Sequence, residues 1–304
     1  MPTEETTLEA LQACENAAKI LSESLGASNG SPKQPASALL NIPSASYTSR
    51  GVRKDLISSL AYKLLLHPTV FISPKVLKSY VTTQSLLRRP ETFPEIFDLY
   101  AIKPVPEPNT TPVKYKTPNP SAAPAAVDKD VADAALTSAL QIKDLDLALS
   151  IIETTYTTPA FHRSKILREA GAPIFGAICA PFAIYALSSQ LSQFQSTMDP
   201  AMATRIMFAG TAAYVAAVGT IGFVAITTRN DQMDRVTWAP GLPLRERWIR
   251  EPERAAVDRV AQAWGFKNMD RRGEEEGEEW ELLKEWAGNR GMIVDRVELM
   301  EGME

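Results

Sequence analysis

Two long apolar stretches interrupt a chain that otherwise alternates apolar and polar positions mostly at helical spacing. No residue from Ala170 to Met198 carries a charge, and the 23 residues between Arg205 and Arg229 carry none either. A helix rises about 1.5 Å per residue, so 23 residues reach roughly 35 Å, slightly more than the roughly 30 Å hydrocarbon core of a bilayer. Residues 170–191 and 206–228 therefore predict two membrane-spanning helices joined by 14 residues as a hairpin. A pair of helices buried inside a soluble domain would need comparably apolar elements around it, and the rest of the chain offers few.

Within the predicted hairpin, small residues recur every fourth position. Ala172, Gly176 and Ala180 form one such row and Ala209, Ala213 and Ala217 another, the spacing that lets two backbones approach closely in lipid. Pro181 falls in the middle of the first span, where it removes a backbone donor and predicts a kink. Arg163, Lys165 and Arg168 precede the first span, and Arg229, Arg235, Arg245 and Arg247 follow the second. The connecting loop holds only Asp199 and Arg205. By the positive-inside rule both termini belong on one face, cytosol or mitochondrial matrix.

Before the hairpin the periodicity predicts a series of helices. Residues 6–25 carry a stripe of Leu8, Leu11, Ala18, Leu21 and Leu25, with Thr6 and Glu9 at capping-box spacing. Residues 27–52 are rich in Ser, Pro and Asn and read as a linker. A helical unit over 53–102 contains Lys54–Leu66, then Pro74–Arg88 with Ser73 placed to cap it, then 91–101. Seven prolines in residues 103–127 rule out a long regular element and predict an extended strap. Residues 128–169 follow as a helical hairpin with "KDLD" at its turn, and a further helix from Pro159 leads into the first span.

After the hairpin, residues 230–304 contain all five tryptophans, Trp238, Trp248, Trp264, Trp280 and Trp286. That much aromatic surface in a charged segment predicts a small packed domain whose tryptophans also serve as partner-binding candidates. Pro252 is placed at the start of a helix ending near Trp264, a second helix covers 274–287, and "GMIVDRVELM" alternates as a short strand. The predicted fold class is mainly α: a helical-hairpin N-terminal region behind an amphipathic helix (1–26), a two-helix transmembrane hairpin (170–229), and a Trp-rich, mainly helical C-terminal domain.

The stretch "SPKVLKSYVTTQSLLRRPETFPEIFDLYAIKP" resembles one pentatricopeptide-type helical hairpin, with Tyr80, Leu87, Phe97, Leu99 and Tyr100 at its apolar places. "VADAALTSALQIKDLDLALSIIETTY" resembles a second hairpin of pentatricopeptide or tetratricopeptide kind. The resemblance covers about residues 73–104 and 131–156 and does not extend to the whole chain. It implies an organellar protein that binds RNA.

Charge is segregated: −4 over residues 1–30, +8 over 31–90, −5 over 91–162 and −6 over 231–304, within a net charge of −4. The basic, serine-rich 31–90 block has the composition of an organelle-targeting or RNA-facing segment. Its RNA-binding candidates are Arg50, Arg53, Lys54, Lys75, Lys78, Arg88 and Arg89. The first 25 residues lack the basic and apolar regions of a secretory signal.

Two cysteines, Cys14 and Cys179, do not make a disulfide framework, and two histidines, His67 and His162, do not make a zinc site. No phosphate-cradling glycine loop, catalytic triad or distinctive carboxylate pair is present, so no catalytic, cofactor or metal residue is assigned. The expected function is non-enzymatic: a mitochondrial inner-membrane scaffold or assembly factor with both termini in the matrix, linked to respiratory-complex biogenesis or organellar translation. The alternatives are a membrane-tethered RNA-binding translation factor and a structural subunit of a channel or respiratory complex. The endoplasmic-reticulum membrane with cytosolic termini fits the same topology. Expected partners are membrane lipid, other membrane-complex proteins, and RNA or the ribosome; nothing points to a small-molecule substrate.

Overall fold

The computed structural model describes residues 3–26, 45–106, 115–228 and 233–295. The fold is mainly helical. Helix α1 covers Glu4–Gly26, α2 Ala45–Leu66, α3 Pro74–Leu87 and α4 Phe93–Ile102. Helices α5 (Lys129–Ile142), α6 (Leu145–Thr154) and α7 (Pro159–Lys165) follow, then α8 (Gly171–Leu191) and α9 (Pro200–Thr227), and finally α10 (Leu244–Trp264) and α11 (Glu278–Gly288). Two antiparallel ribbons complete it: β1 (Val105–Pro106) with β2 (Tyr115–Lys116), and β3 (Val236–Trp238) with β4 (Met292–Val294). Most of the predicted linker and residues 107–114 of the predicted strap lie outside the described residues.

Local chemistry sets most helix ends. Thr3 rather than Thr6 caps α1, its hydroxyl accepting from the Thr6 amide at 3.3 Å, so the helix starts earlier than the Thr6–Glu9 pair predicts. Ser73 caps α3 by accepting from the Val76 amide at 3.3 Å, with Pro74 at the first helical position. Arg88 (φ 58°) and Lys143 (φ 55°) end α3 and α5 in the left-handed conformation usually given to glycine. Asp144 then accepts from the Leu147 amide at 3.0 Å and restarts the chain as α6. The buried Lys103 ammonium donates to the Leu65 and His67 carbonyls at 2.5 and 2.9 Å, closing the end of α2.

The helices before the apolar hairpin stack in pairs. Helix α1 lies on α3, α3 on α5, and α4 on α6, so the α3/α4 pair sits on the α5/α6 pair like against like. The interior holds Leu77, Tyr80, Ile96, Phe97, Leu136 and Ile152, all nearly inaccessible. Tyr80 and Phe93 meet edge on with centroids 6.3 Å apart, and Phe93 stacks on Phe97 at 6.0 Å.

The segment after the hairpin returns to this stack. Helix α10 packs against α5, α6 and α7, and Val236, Trp238, Val257, Val260, Trp280 and Leu283 join the same continuous core as the N-terminal helices. Before the hairpin, α2 begins at Ala45, so the last residues of the predicted linker are helical rather than irregular; in this returning segment two further boundaries differ from the sequence-based expectation. Helix α10 begins at Leu244 and runs through Pro252, which lies inside it rather than at its start. Helix α11 begins at Glu278, because Gly273 and Gly277, at φ 93° and 132°, hold the preceding acidic residues in a turn.

The shared core makes a direct prediction. Leu136→Ala empties a site of zero accessibility on α5 and costs about 2–5 kcal/mol. A lowered thermal unfolding midpoint of the detergent-solubilised chain is the expected result, and an unchanged midpoint would contradict it.

Candidate functional site: an exposed apolar hairpin on a folded body

Helix α7 does not end at the start of α8. A π-helical turn at Ile166–Ala170 joins them, so one helical rod runs from Pro159 to Phe194. Helix α9 supplies a second rod of 28 residues, and both are long and apolar enough to cross a membrane, with mean hydropathy 1.7 in their most apolar windows. The body does not enclose those windows. Phe175 (70%), Phe182 (75%), Tyr214 (70%) and Ile221 (70%) stand free, which no interior helix of a soluble domain would leave open.

The two rods touch near the loop. Ile184 and Ser188 on α8 and Ala203 on α9 are buried there, and Tyr185 meets Phe208 edge on at 6.4 Å. Thr204 donates to Ser192 at 2.9 Å across the connection. Asp199 caps α9 by accepting from the Ala201 and Met202 amides at 3.1 and 3.2 Å, and Arg205 is exposed. Residues 172–179 and 213–226 are exposed, so the halves away from the loop do not cover one another. The small-residue rows therefore do not form the helix contact: Ala172, Gly176, Ala209, Ala213 and Ala217 are exposed, and Ala180 alone is half-buried. A side chain added at Gly176 would meet no atom within 4 Å. The larger side chains at 184, 185 and 208 carry the contact instead, and α8 passes through Pro181 without ending.

At the other end of the rods, contacts between the flanking segments close the body. Lys165 donates to the Trp248 carbonyl and lies 5.0 Å from the centre of its ring. Arg259 of α10 pairs with Asp133 of α5 at 2.6 Å, and the Tyr156 hydroxyl donates to the same carboxylate at 2.7 Å. Glu153 of α6 accepts from Trp286 at 3.1 Å and from Arg290 at 2.7 Å.

These contacts revise the role expected for the tryptophans. Trp238 and Trp280 are buried, and Trp248, Trp264 and Trp286 are half-buried. Trp238 donates to Glu251 at 3.0 Å, and Trp264 to Glu279 at 2.8 Å. Arg235 lies over Trp280 and Arg290 over Trp286. All five hold the C-terminal segment together or bind it to the helical stack, so they do not offer the open partner-binding surface that the sequence suggests.

The basic candidates do not gather on one face. Lys75 and Lys78 lie in the first turns of α3, and Arg88 and Arg89 lie at its far end, about 20 Å away along the axis. Arg89 is bound to Asp55 at 2.6 Å. Arg53 and Lys54 lie on α2 near that pair, exposed and half-buried respectively, and the Arg50 side chain lies outside the described residues.

One buried charge cluster was invisible to sequence reasoning. Arg235 donates to Glu275 and Asp295 and, at 3.2 Å, to the Ala261 carbonyl, while Asp258 accepts from the Arg235 and Val236 amides at 2.7 Å each. Arg254 is fully buried and donates to Glu251 at 2.8 Å and to the Val236 carbonyl at 2.8 Å. Burial alone would raise the pKa of Glu275, but Arg235 and the Phe266 and Gly273 amides outweigh it and hold the carboxyl at about 2. The charged character of residues 230–304 was legible; the pairing across 40 and 60 residues was not.

Comparison with known protein families, with curated proteins and with solved structures finds no match.

The depressed Glu275 pKa sets a pH dependence. A carboxyl bound more tightly as the anion in the folded state stabilises the fold above its ordinary pKa of 4.5, and that contribution is lost as pH falls toward 2. Unfolding midpoints measured across this window should drop more steeply for the native chain than for Glu275→Gln. Parallel curves would show that Glu275 is not so held.

Proposed function

We propose that this chain is a non-enzymatic membrane scaffold, anchored by the α8/α9 hairpin, whose folded body lies wholly on one side of the bilayer. The observation that carries this reading is the exposure of both apolar rods beside a body whose own core is closed. Water would have to cover a continuous apolar surface on two helices, and lipid removes that cost.

The exposed flanking charges support the orientation. Lys165 and Arg235 are consumed inside the body, yet Arg163, Arg168 and Arg245 remain exposed at the body end of the rods. The far loop offers Arg205 beside Asp199. The body therefore belongs on the positive side, the matrix in the inner mitochondrial membrane. The basic, serine-rich 31–90 block supports that compartment over the endoplasmic reticulum.

A scaffold also needs an open surface. Val52, Leu56 and Leu60 follow one another by four residues on α2 and are 52, 55 and 60% exposed. This apolar row on the outer helix of the stack supports a protein partner, such as a membrane complex under assembly. The separation of the basic residues and the engagement of Arg89 favour this over RNA tethering.

The test is purification of the tagged chain in mild detergent, with and without ribonuclease, and with Leu56→Glu/Leu60→Glu alongside. A defined set of membrane proteins that survives nuclease and is lost from the double variant is expected. Loss of all co-purifying protein on nuclease treatment would overturn the scaffold reading and favour organellar translation.

A further inference from the structure

A cavity of about 250 Å³ opens where the body meets the first apolar rod. Its walls come from four separate stretches of sequence: the start of α3, Tyr100 of α4, residues 124–131 at the end of the proline-rich strap and the start of α5, and the rod just before Gly171. Leu77, Val127 and Phe161 make an apolar floor, and Lys129, Ser164 and Arg168 supply polar groups.

Charge in this cavity is unbalanced. Lys129 is exposed and has no ion-pair partner among the described residues. Arg168 reaches Asp128 and Glu169 only at 4.0 Å, outside hydrogen-bond distance. Lys165 also lines the cavity but is engaged by Trp248. Asp128 is the one acidic residue in the lining, against three cations. As the N-cap of α5, Asp128 makes no side-chain capping bond, which leaves first-turn amides of that helix without a carboxylate partner. Arg168 itself sits in the π-helical turn, which turns it out of the regular α-helical register two residues before the rod becomes uncharged.

We propose that this cavity binds the phosphate group of an anionic phospholipid from the leaflet facing the body. The inference rests on the membrane reading above and deepens it. Arg168 and Lys129 hold the phosphate oxygens by charge-assisted hydrogen bonds, and Ser164 lies within the same lining to donate a third. The glycerol and upper acyl carbons lie on the apolar floor, and the chains continue along α8, whose first residues from 172 onward are exposed. A lone basic flank attracts anionic lipid without structure, whereas a cavity whose lining carries three cations against one acid fixes one headgroup in place.

The full-length chain in mild detergent, titrated with phosphatidylglycerol and read by native mass spectrometry, tests the site. Arg168→Gln/Lys129→Gln should bind about tenfold more weakly than the native chain. Arg245→Gln, which removes an exposed cation outside the cavity, should bind as the native chain does. Equal binding by the double variant, or an equal loss in Arg245→Gln, would overturn the proposal. Displacement of the lipid by inorganic phosphate at matched concentration would overturn the lipid as the source and leave a soluble phosphate. Flotation separates the two readings. A chain that floats with no vesicle contradicts the membrane anchor itself. One that floats on phosphatidylcholine vesicles, yet shows no preference for phosphatidylglycerol, contradicts the cavity alone.

Discussion

The constraint on which the rest depends is that the chain must leave its folded body along one apolar rod and return to the same body along another. Asp133 and Glu153 precede the rods, and Arg259, Trp286 and Arg290 follow them, yet these residues pair directly. Lys165, at the foot of the first rod, is fixed to Trp248 beyond the second. Such contacts form only if both rods end at one level. Two helices of similar length joined by a short turn meet that requirement, and their apolar surfaces are consequently left facing outward together.

The returning segment is polar for something so well buried. Arg235, Glu251, Glu253, Arg254, Asp258 and Glu275 are each less than a tenth exposed. Charges removed from water are tolerated only when opposite charges and backbone groups satisfy them. Here the carboxylates bind arginines and the amides of β3 and of the α10–α11 connection, and the tryptophans lie against the arginine planes. The arrangement fixes β3 against α10 directionally, where apolar contacts alone would allow sliding. It also explains why an aromatic-rich tail leaves little aromatic surface for another protein.

Much of the architecture was legible because it rests on local pattern. The uncharged runs located the rods, Ser73 with Pro74 located the start of α3, and "KDLD" located the turn between α5 and α6. What failed depended on groups distant in sequence. The rows at Ala172, Gly176, Ala209, Ala213 and Ala217 have the right spacing for close packing, but spacing cannot say which face meets a partner; Ile184, Tyr185 and Phe208 make the contact instead. Pro252 looked like a helix start because its first-turn preference is strong, yet the residues before it were already helical. The five tryptophans signalled packing correctly, but the polar handles that receive them, Glu153, Glu251 and Glu279, lie up to 133 residues away. The cavity beside Arg168 could not be foreseen, since four segments must converge to form it.

The central claim is that the α8/α9 loop and the body lie on opposite sides of a bilayer. The most direct measurement is labelling by a membrane-impermeant maleimide in sealed vesicles, with Cys14 and Cys179 replaced by Ser. A single cysteine is then placed at Ser196 in the loop or at Lys116 in the body; both positions are exposed. One of the two should be labelled in intact vesicles and the other only after detergent is added. Labelling of both in intact vesicles at equal rates would contradict a chain that crosses the membrane.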